Sequence, residues 1–299
     1  MKKGLLKSVF SPIVIAIFLG FCFWYISSNW NDFVNLSIVS PLFLLLAVPF
    51  LLLNMYSTGM LLDLTIEPHG INISKKEAFS LAIITRFSNQ ISPSYVGATI
   101  RATYLKKMYG VAYAKFSSSF LMSNVLQFLI SGILIIISSI ILSSAQIEMG
   151  SLTAVIAITT VLIFVFYFPV HKVIHILNMH TFTLKGTKKI AERLSVLLDG
   201  YSKVRSHPKL LPRTILWMFT TILSSSAAYW LLYSSLGIDI NFASTLFIAS
   251  LSSWSTIFAI TPGSIGVRET LMVLAAQAAD VSITATLLVA LLLRITVFV

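Results

Sequence analysis

A chain of 299 residues that is 57% hydrophobic and only 10% charged is not an ordinary soluble domain, where about a quarter of residues carry charge. Its mean hydropathy of +0.91 marks a polytopic membrane protein. The formal net charge of +11 does not point to nucleic acid, because no basic patch interleaved with stacking aromatics lies on a soluble domain. Cytoplasmic loops collect Lys and Arg for another reason, the positive-inside rule.

The N-terminus reads Met1-Lys2-Lys3 and runs into an apolar stretch at 9–26. That stretch is long for a signal peptide and no small-residue cleavage site follows it, so a retained first helix is expected. Cys22, inside it, is the one cysteine, which excludes a disulfide framework within the chain. A spanning helix needs about 20 mostly apolar residues. Spans are expected roughly at 9–28, 39–62, 116–142, 152–171, 213–236 and 282–299.

Two further apolar stretches, about 78–105 and 242–280, carry a segment that occurs twice. Residues 91–98 read Ile-Ser-Pro-Ser-Tyr-Val-Gly-Ala and residues 260–267 read Ile-Thr-Pro-Gly-Ser-Ile-Gly-Val. Pro93 and Gly97 in the first copy match Pro262 and Gly266 in the second. Charge follows each, as Arg101 and as Arg268-Glu269. Proline removes a backbone donor and clashes with the preceding turn, so a break is expected in each copy. The pieces on either side are too short to cross a bilayer, and each stretch reads as a re-entrant hairpin or a pair of short tilted helices. Freed backbone groups at membrane depth need protein or a watery cavity to satisfy them. Two such breaks in matching positions point to a site at a repeat interface.

Charge sets the orientation. Lys2, Lys3 and Lys7, then Lys75, Lys76, Lys106, Lys107 and Lys115, then the basic segment 172–213, fall on one side. The loops at 29–38, 143–151 and 237–241 have no Lys or Arg and fall on the other. Both termini and the 172–213 loop are therefore expected in the cytoplasm of an inner-membrane protein. If each hairpin returns to its own side, the first enters from the cytoplasm and the second from outside. That relation is an inverted repeat within a single membrane domain, 1–299. Within 172–213, Ile190, Leu194, Leu197, Leu198 and Tyr201 follow helical spacing. They read either as an amphipathic helix at anionic headgroups or as an ordinary basic loop.

Catalytic signatures are missing. No phosphate-binding glycine loop or close His/Cys cluster occurs, and no pair of carboxylates offers acid/base chemistry. His171 and His175 share a helical face but lack a third ligand, so neither metal nor cofactor is expected. Polar groups at membrane depth remain: Arg86, Asn89, Gln90, Arg101, Asn124, Gln127, Arg268, Glu269, Gln277 and Arg294. An ionised group in hydrocarbon costs roughly 2.5–3.5 kcal/mol on insertion scales, so these should pair or face a cavity. Glu269 with Arg268 or Arg294 is the expected pair. Arg101, on the helix beginning near Ser94, can hold a phosphate oxygen pair, and that helix's N-terminal amides would attract an anion.

At these motifs the chain resembles the lysylphosphatidylglycerol synthase transmembrane family, a flippase-like membrane domain also found in the multiple peptide resistance factor. The family's Pro-Gly-x-x-Gly-Glu-x-x-Arg-Ala is represented by Pro93 to Ala102, followed by Leu105, Lys106, Lys107, Gly110 and Val111. Its second pattern, Pro-Gly-x-Gly-Val-x-Glu with variable spacing, is matched by Pro262, Gly263, Gly266, Val267 and Glu269, and Arg294 fits as well. Four acidic or basic positions depart: Ala98 stands for Glu, and Ser123, Asn124 and Gln127 stand for a Glu-Arg-x-x-Asp pattern. The resemblance implies translocation of a phospholipid, modified phospholipid or polyprenyl-linked lipid between leaflets. Pro93, Gly97, Arg101, Pro262, Gly263, Gly266, Arg268, Glu269 and Arg294 would form the binding site. The alternatives are a membrane component of lipid-linked glycosyl transfer and a non-transporting accessory subunit of an envelope-lipid enzyme. The 299 residues contain no counterpart of the aminoacyl-transferase domain of two-domain relatives, so lipid aminoacylation is not expected.

Overall fold

The computed structural model describes residues 38–91, 96–144, 209–256 and 261–296, with isolated positions at 20, 24, 27, 28, 30 and 160. The expected spans at 9–28 and 152–171, Pro93, and nearly all of the 172–213 loop lie outside the described residues. Among the described residues the secondary structure is helical, without strands. The α-helices are α1 (Pro41–Ile66), α2 (Lys75–Ile91), α3 (Val96–Tyr109), α4 (Tyr113–Ser144), α5 (Leu210–Ser235), α6 (Phe242–Ser253), α7 (Val267–Ala278) and α8 (Ile283–Ile295).

Helices α1, α4 and α5 are long and apolar enough to cross a membrane. Helices α6 and α7, at 12 residues each, rise only about 18 Å, against a hydrocarbon core of about 30 Å. Helix α2 has 17 residues and α3 has 14, about 25 and 21 Å, also short of a crossing. The expected long-helix, broken-pair, helix order is therefore present twice, as α1-α2-α3-α4 and α5-α6-α7-α8.

Among the described residues, helices α1 and α5 make the most extensive contact, and they run antiparallel. At one end the Val39 amide donates to the Ser235 carbonyl at 2.9 Å, and at the other Arg213 pairs with Glu67 at 3.2 Å. Midway, the Asn54 side-chain amide donates to the Thr221 carbonyl and the Ser225 hydroxyl, both at 2.9 Å. A short connection leads from the C-terminal end of α1 into α2, and another from the C-terminal end of α5 into α6. Because α1 and α5 are antiparallel, the two short-helix pairs hang from opposite ends of the bundle.

Within the first pair, α2 and α3 are antiparallel. Glu77 in the first turn of α2 accepts hydrogen bonds from Tyr104 at 2.9 Å and Tyr109 at 2.8 Å near the end of α3. The hydrogen bond to Glu77 pushes the Tyr109 phenol up to about 12. At the other end Asn89 meets Gly97. Each pair has its own apolar core. One cluster gathers Met60, Ile66, Leu81, Leu105 and Phe116 around α2 and α3; another gathers Tyr233, Phe247, Met272, Val289 and Leu293 around α6, α7 and α8. Trp254, after α6, stacks on Phe128 of α4 at 4.0 Å and donates to Ser131 at 2.8 Å, which fixes the inner end of the second pair.

Candidate functional site

In the first pair, close approach of α2 and α3 depends on Gly97. A Cβ there would stand 2.4 Å from Thr85 Cγ2 and 2.7 Å from the Thr85 carbonyl oxygen, so any side chain would force the helices apart. The Gly97 amide donates to Asn89 Oδ1 at 2.9 Å, so this N-terminal amide of α3 is engaged with protein. One turn on, Arg101 is 8% exposed and its Nε donates to the Thr85 hydroxyl at 2.7 Å. Thr85 passes its own proton to the Leu81 carbonyl at 2.6 Å.

In the second pair the backbone turns through left-handed conformations at Gly263 (φ 57°), Ser264 (φ 54°) and Gly266 (φ 87°). Glycine takes these values without steric cost, which explains two of the three residues. The Pro262–Ser264 turn leads into α7, whose first turn is closed by Glu269: its Oε2 accepts the Gly266 amide at 2.8 Å. The other carboxylate oxygen accepts Arg294 Nε at 2.9 Å and also Arg294 Nη2. Of the two expected partners of Glu269, Arg294 is the one in contact. Arg268 instead donates to the Tyr229 hydroxyl at 2.8 Å, and Tyr229 shares a hydrogen bond with Ser252.

Arg294 also joins the two pairs. Its Nη1 donates to Gln90 Oε1 at 3.0 Å, at the inner end of α2, and its Nη2 reaches the Gly263 carbonyl at 3.5 Å. A Cβ on Gly263 would fall 2.2 Å from Gln90 Oε1 and 3.1 Å from Arg294 Nη1, flexible side-chain ends that would have to shift, and the φ of 57° favours glycine there.

Beside that junction lies a cavity of about 410 Å³, bounded by α1, α2, α3, α4, α5 and the second pair. Arg86, Arg101 and Arg268 line it, and no Asp or Glu does among the described residues. All three guanidiniums bond neutral groups: Arg86 to Asn54 Oδ1 at 2.9 Å, Arg101 to Thr85 and Arg268 to Tyr229. Gly263 is on the wall, whereas Gly97, Gly266, Glu269 and Arg294 stand behind it as supports. Ala98, Ser123, Asn124 and Gln127, the positions that depart from the family pattern, are all on the wall.

Arg86, Asn89 and Gln90 were legible only as polar groups at membrane depth, not as members of one site. Asn54, Thr85 and Tyr229 escaped the sequence. The available signal was slight, a lone amide in the apolar run 39–62 for Asn54 and a tyrosine among serines for Tyr229. Among the described residues no group of His, Cys, Asp and Glu is arranged to hold a metal ion.

Apolar helices of spanning length, two pairs of short helices and a polar cavity between them define a polytopic α-helical membrane protein. The chain belongs to the family described as Lysylphosphatidylglycerol synthase TM region, which matches residues 8–299. No curated protein matches the chain.

Proposed function

We propose that this protein binds the phosphate-bearing headgroup of a membrane lipid in the cavity between its two short-helix pairs and moves it between leaflets of the cytoplasmic membrane. One observation carries the reading: a cavity of about 410 Å³ between the helices is lined, among the described residues, by three arginines and no carboxylate. Uncompensated cations at membrane depth are costly, and a phosphate relieves that cost while the acyl chains stay in lipid. Membership of the lysylphosphatidylglycerol synthase membrane-region family supports a lipid ligand.

The two pairs act as re-entrant hairpins that enter from opposite sides, related as an inverted repeat with both termini in the cytoplasm. The positive-inside pattern and the antiparallel packing of α1 and α5 support that arrangement. Arg101, Arg86 and Arg268 hold the phosphate. Glu269, neutralised by Arg294, keeps the second hairpin's turn closed. The described residues of the cavity wall offer no carboxylate as a base, which favours transport over a glycosyl-transfer reaction.

The test is leaflet exchange of labelled phospholipids in proteoliposomes. Wild type is expected to accelerate exchange, and Arg101→Ala and Glu269→Ala to reduce it by about tenfold or more, one charged hydrogen bond each. Exchange unaffected by either substitution in inserted, folded protein would sink the proposal.

A further inference from the structure

Two of the five arginines among the described residues have a carboxylate partner, and three do not. Arg294 pairs with Glu269, and Arg213 pairs with Glu67. Among the described residues Arg86, Arg101 and Arg268 donate to the neutral groups Asn54, Thr85 and Tyr229, and all three line the same cavity. Each guanidinium has five N–H donors in a fixed fork, so one neutral acceptor leaves most of its capacity unused. A single phosphodiester carries one negative charge. Bound here, it would offset one of the three arginines, and Glu269, the carboxylate next to Arg268, is already paired with Arg294.

We infer that the cavity is built for a headgroup carrying at least two phosphate charges, either a diphosphate or two phosphodiesters joined by a short polar bridge. This rests on the proposal that the cavity binds a lipid headgroup, and it adds the charge class. The arginines come from three different helices, α2, α3 and α7, so the positive charge is spread over both hairpins. A two-phosphate group can bridge such a spread, whereas one phosphate answers one or two forks. The rest of the wall fits the same ligand. Ala98, Ser123, Asn124 and Gln127 are neutral, so nothing there repels a polyanion and nothing draws a cationic aminoacyl group. The hydroxyl and amide groups among them supply hydrogen bonds to bridging oxygens.

Binding to the purified full chain in detergent separates the possibilities. The ligands are cardiolipin, farnesyl diphosphate, phosphatidylglycerol and lysyl-phosphatidylglycerol, compared by thermal shift and by competition against a labelled lipid. At least one two-phosphate ligand is expected to bind about tenfold or more tightly than phosphatidylglycerol, since one added charged hydrogen-bond set is worth about a decade. Lysyl-phosphatidylglycerol is expected to bind most weakly. Preference for cardiolipin alone assigns the two-phosphodiester source, and preference for farnesyl diphosphate alone assigns the diphosphate source.

Arg86→Gln and Arg268→Gln are expected to erase the preference, Arg86→Lys to keep part of it, and Arg213→Gln, at the distant exposed pair, to leave it intact. The ranking of ligands by wild type stands even where a variant fails to fold. Equal affinity for phosphatidylglycerol and both two-phosphate ligands would overturn the inference and leave the lipid-binding proposal standing. Binding of none of the four would overturn both.

Discussion

At the scale of single residues, two glycines and one ion pair hold the site together. Gly97 and Gly263 sit where a Cβ would strike a neighbour, at Thr85 and at Gln90. The two clashes differ in kind. At Gly97 one obstacle is a backbone carbonyl, which cannot move without shifting α2; at Gly263 it is the end of a flexible glutamine. Gly97→Ala is therefore expected to destabilise at the upper end of the ordinary overpacking range, by about 2–3 kcal/mol. Gly263→Ala should cost about 1–2 kcal/mol, chiefly from its left-handed backbone, and should release Gln90 from Arg294. Thermal unfolding in detergent ranks the two, and an inverted ranking would contradict the geometry.

The Glu269–Arg294 pair is 7% and 20% exposed at its side chains, so removing one member strands a nearly buried charge. Arg294→Gln is expected to cost about 3 kcal/mol, and the double change to Gln at both positions to cost less than the sum. Strict additivity in the double-mutant cycle would mean that the two groups do not interact. Part of this was legible in the sequence, where Arg294, the cation of the last apolar stretch, stands with Arg268 as an expected partner of Glu269. Gln90 as the third member was not, since a glutamine on a moderately polar helix carries no mark of what it faces.

At the scale of elements, proline alone was a poor guide to a helix break. Pro49 lies inside α1 and Pro212 inside the first turn of α5, and both helices continue. The second motif breaks because Pro262 is followed by Gly263 and Gly266, which take the left-handed turns a helix forbids. Element boundaries came close for α1, α4 and α5, where apolar runs are long. The assembly of α2, α3, α6 and α7 around one cavity depends on long-range contacts that no local pattern encodes.

The antiparallel arms predict a topology. Epitope tags near Ser74 and Lys107 are expected on the same side of the membrane, and tags near Asn241 and Asp280 together on the other. Opposite labelling of Ser74 and Lys107 would rule out the re-entrant first hairpin. Its base is latched by Tyr109 donating to Glu77, and the raised phenol sets the sign of the pH effect. The latch is intact below the ordinary phenol range near 10 and is lost as pH rises through about 12. A phenolate titration should show a late-titrating component at about 12 that is lost in Tyr109→Phe.

At the scale of the whole molecule, membrane class and the twofold order of elements followed from hydropathy and from the repeated motif. The cavity did not, because its wall draws scattered polar residues from seven α-helices, α1 to α7, and from the second break. A lone serine or asparagine in an apolar helix reads equally well as a packing contact, and only the fold says which of them share a space. The claim that joins the scales is that a lipid headgroup travels through this cavity. The direct measurement starts from a Cys22→Ala background, with Ala98→Cys on the cavity wall and Leu216→Cys on an exposed helix face as control. Each thiol is blocked with a bulky, reducible reagent, and lipid exchange is measured in proteoliposomes before and after reduction. Blocking Ala98→Cys is expected to bring exchange down to the protein-free level, with recovery on reduction, while Leu216→Cys stays active. Undiminished exchange with Ala98→Cys fully modified would show that lipid does not pass this way.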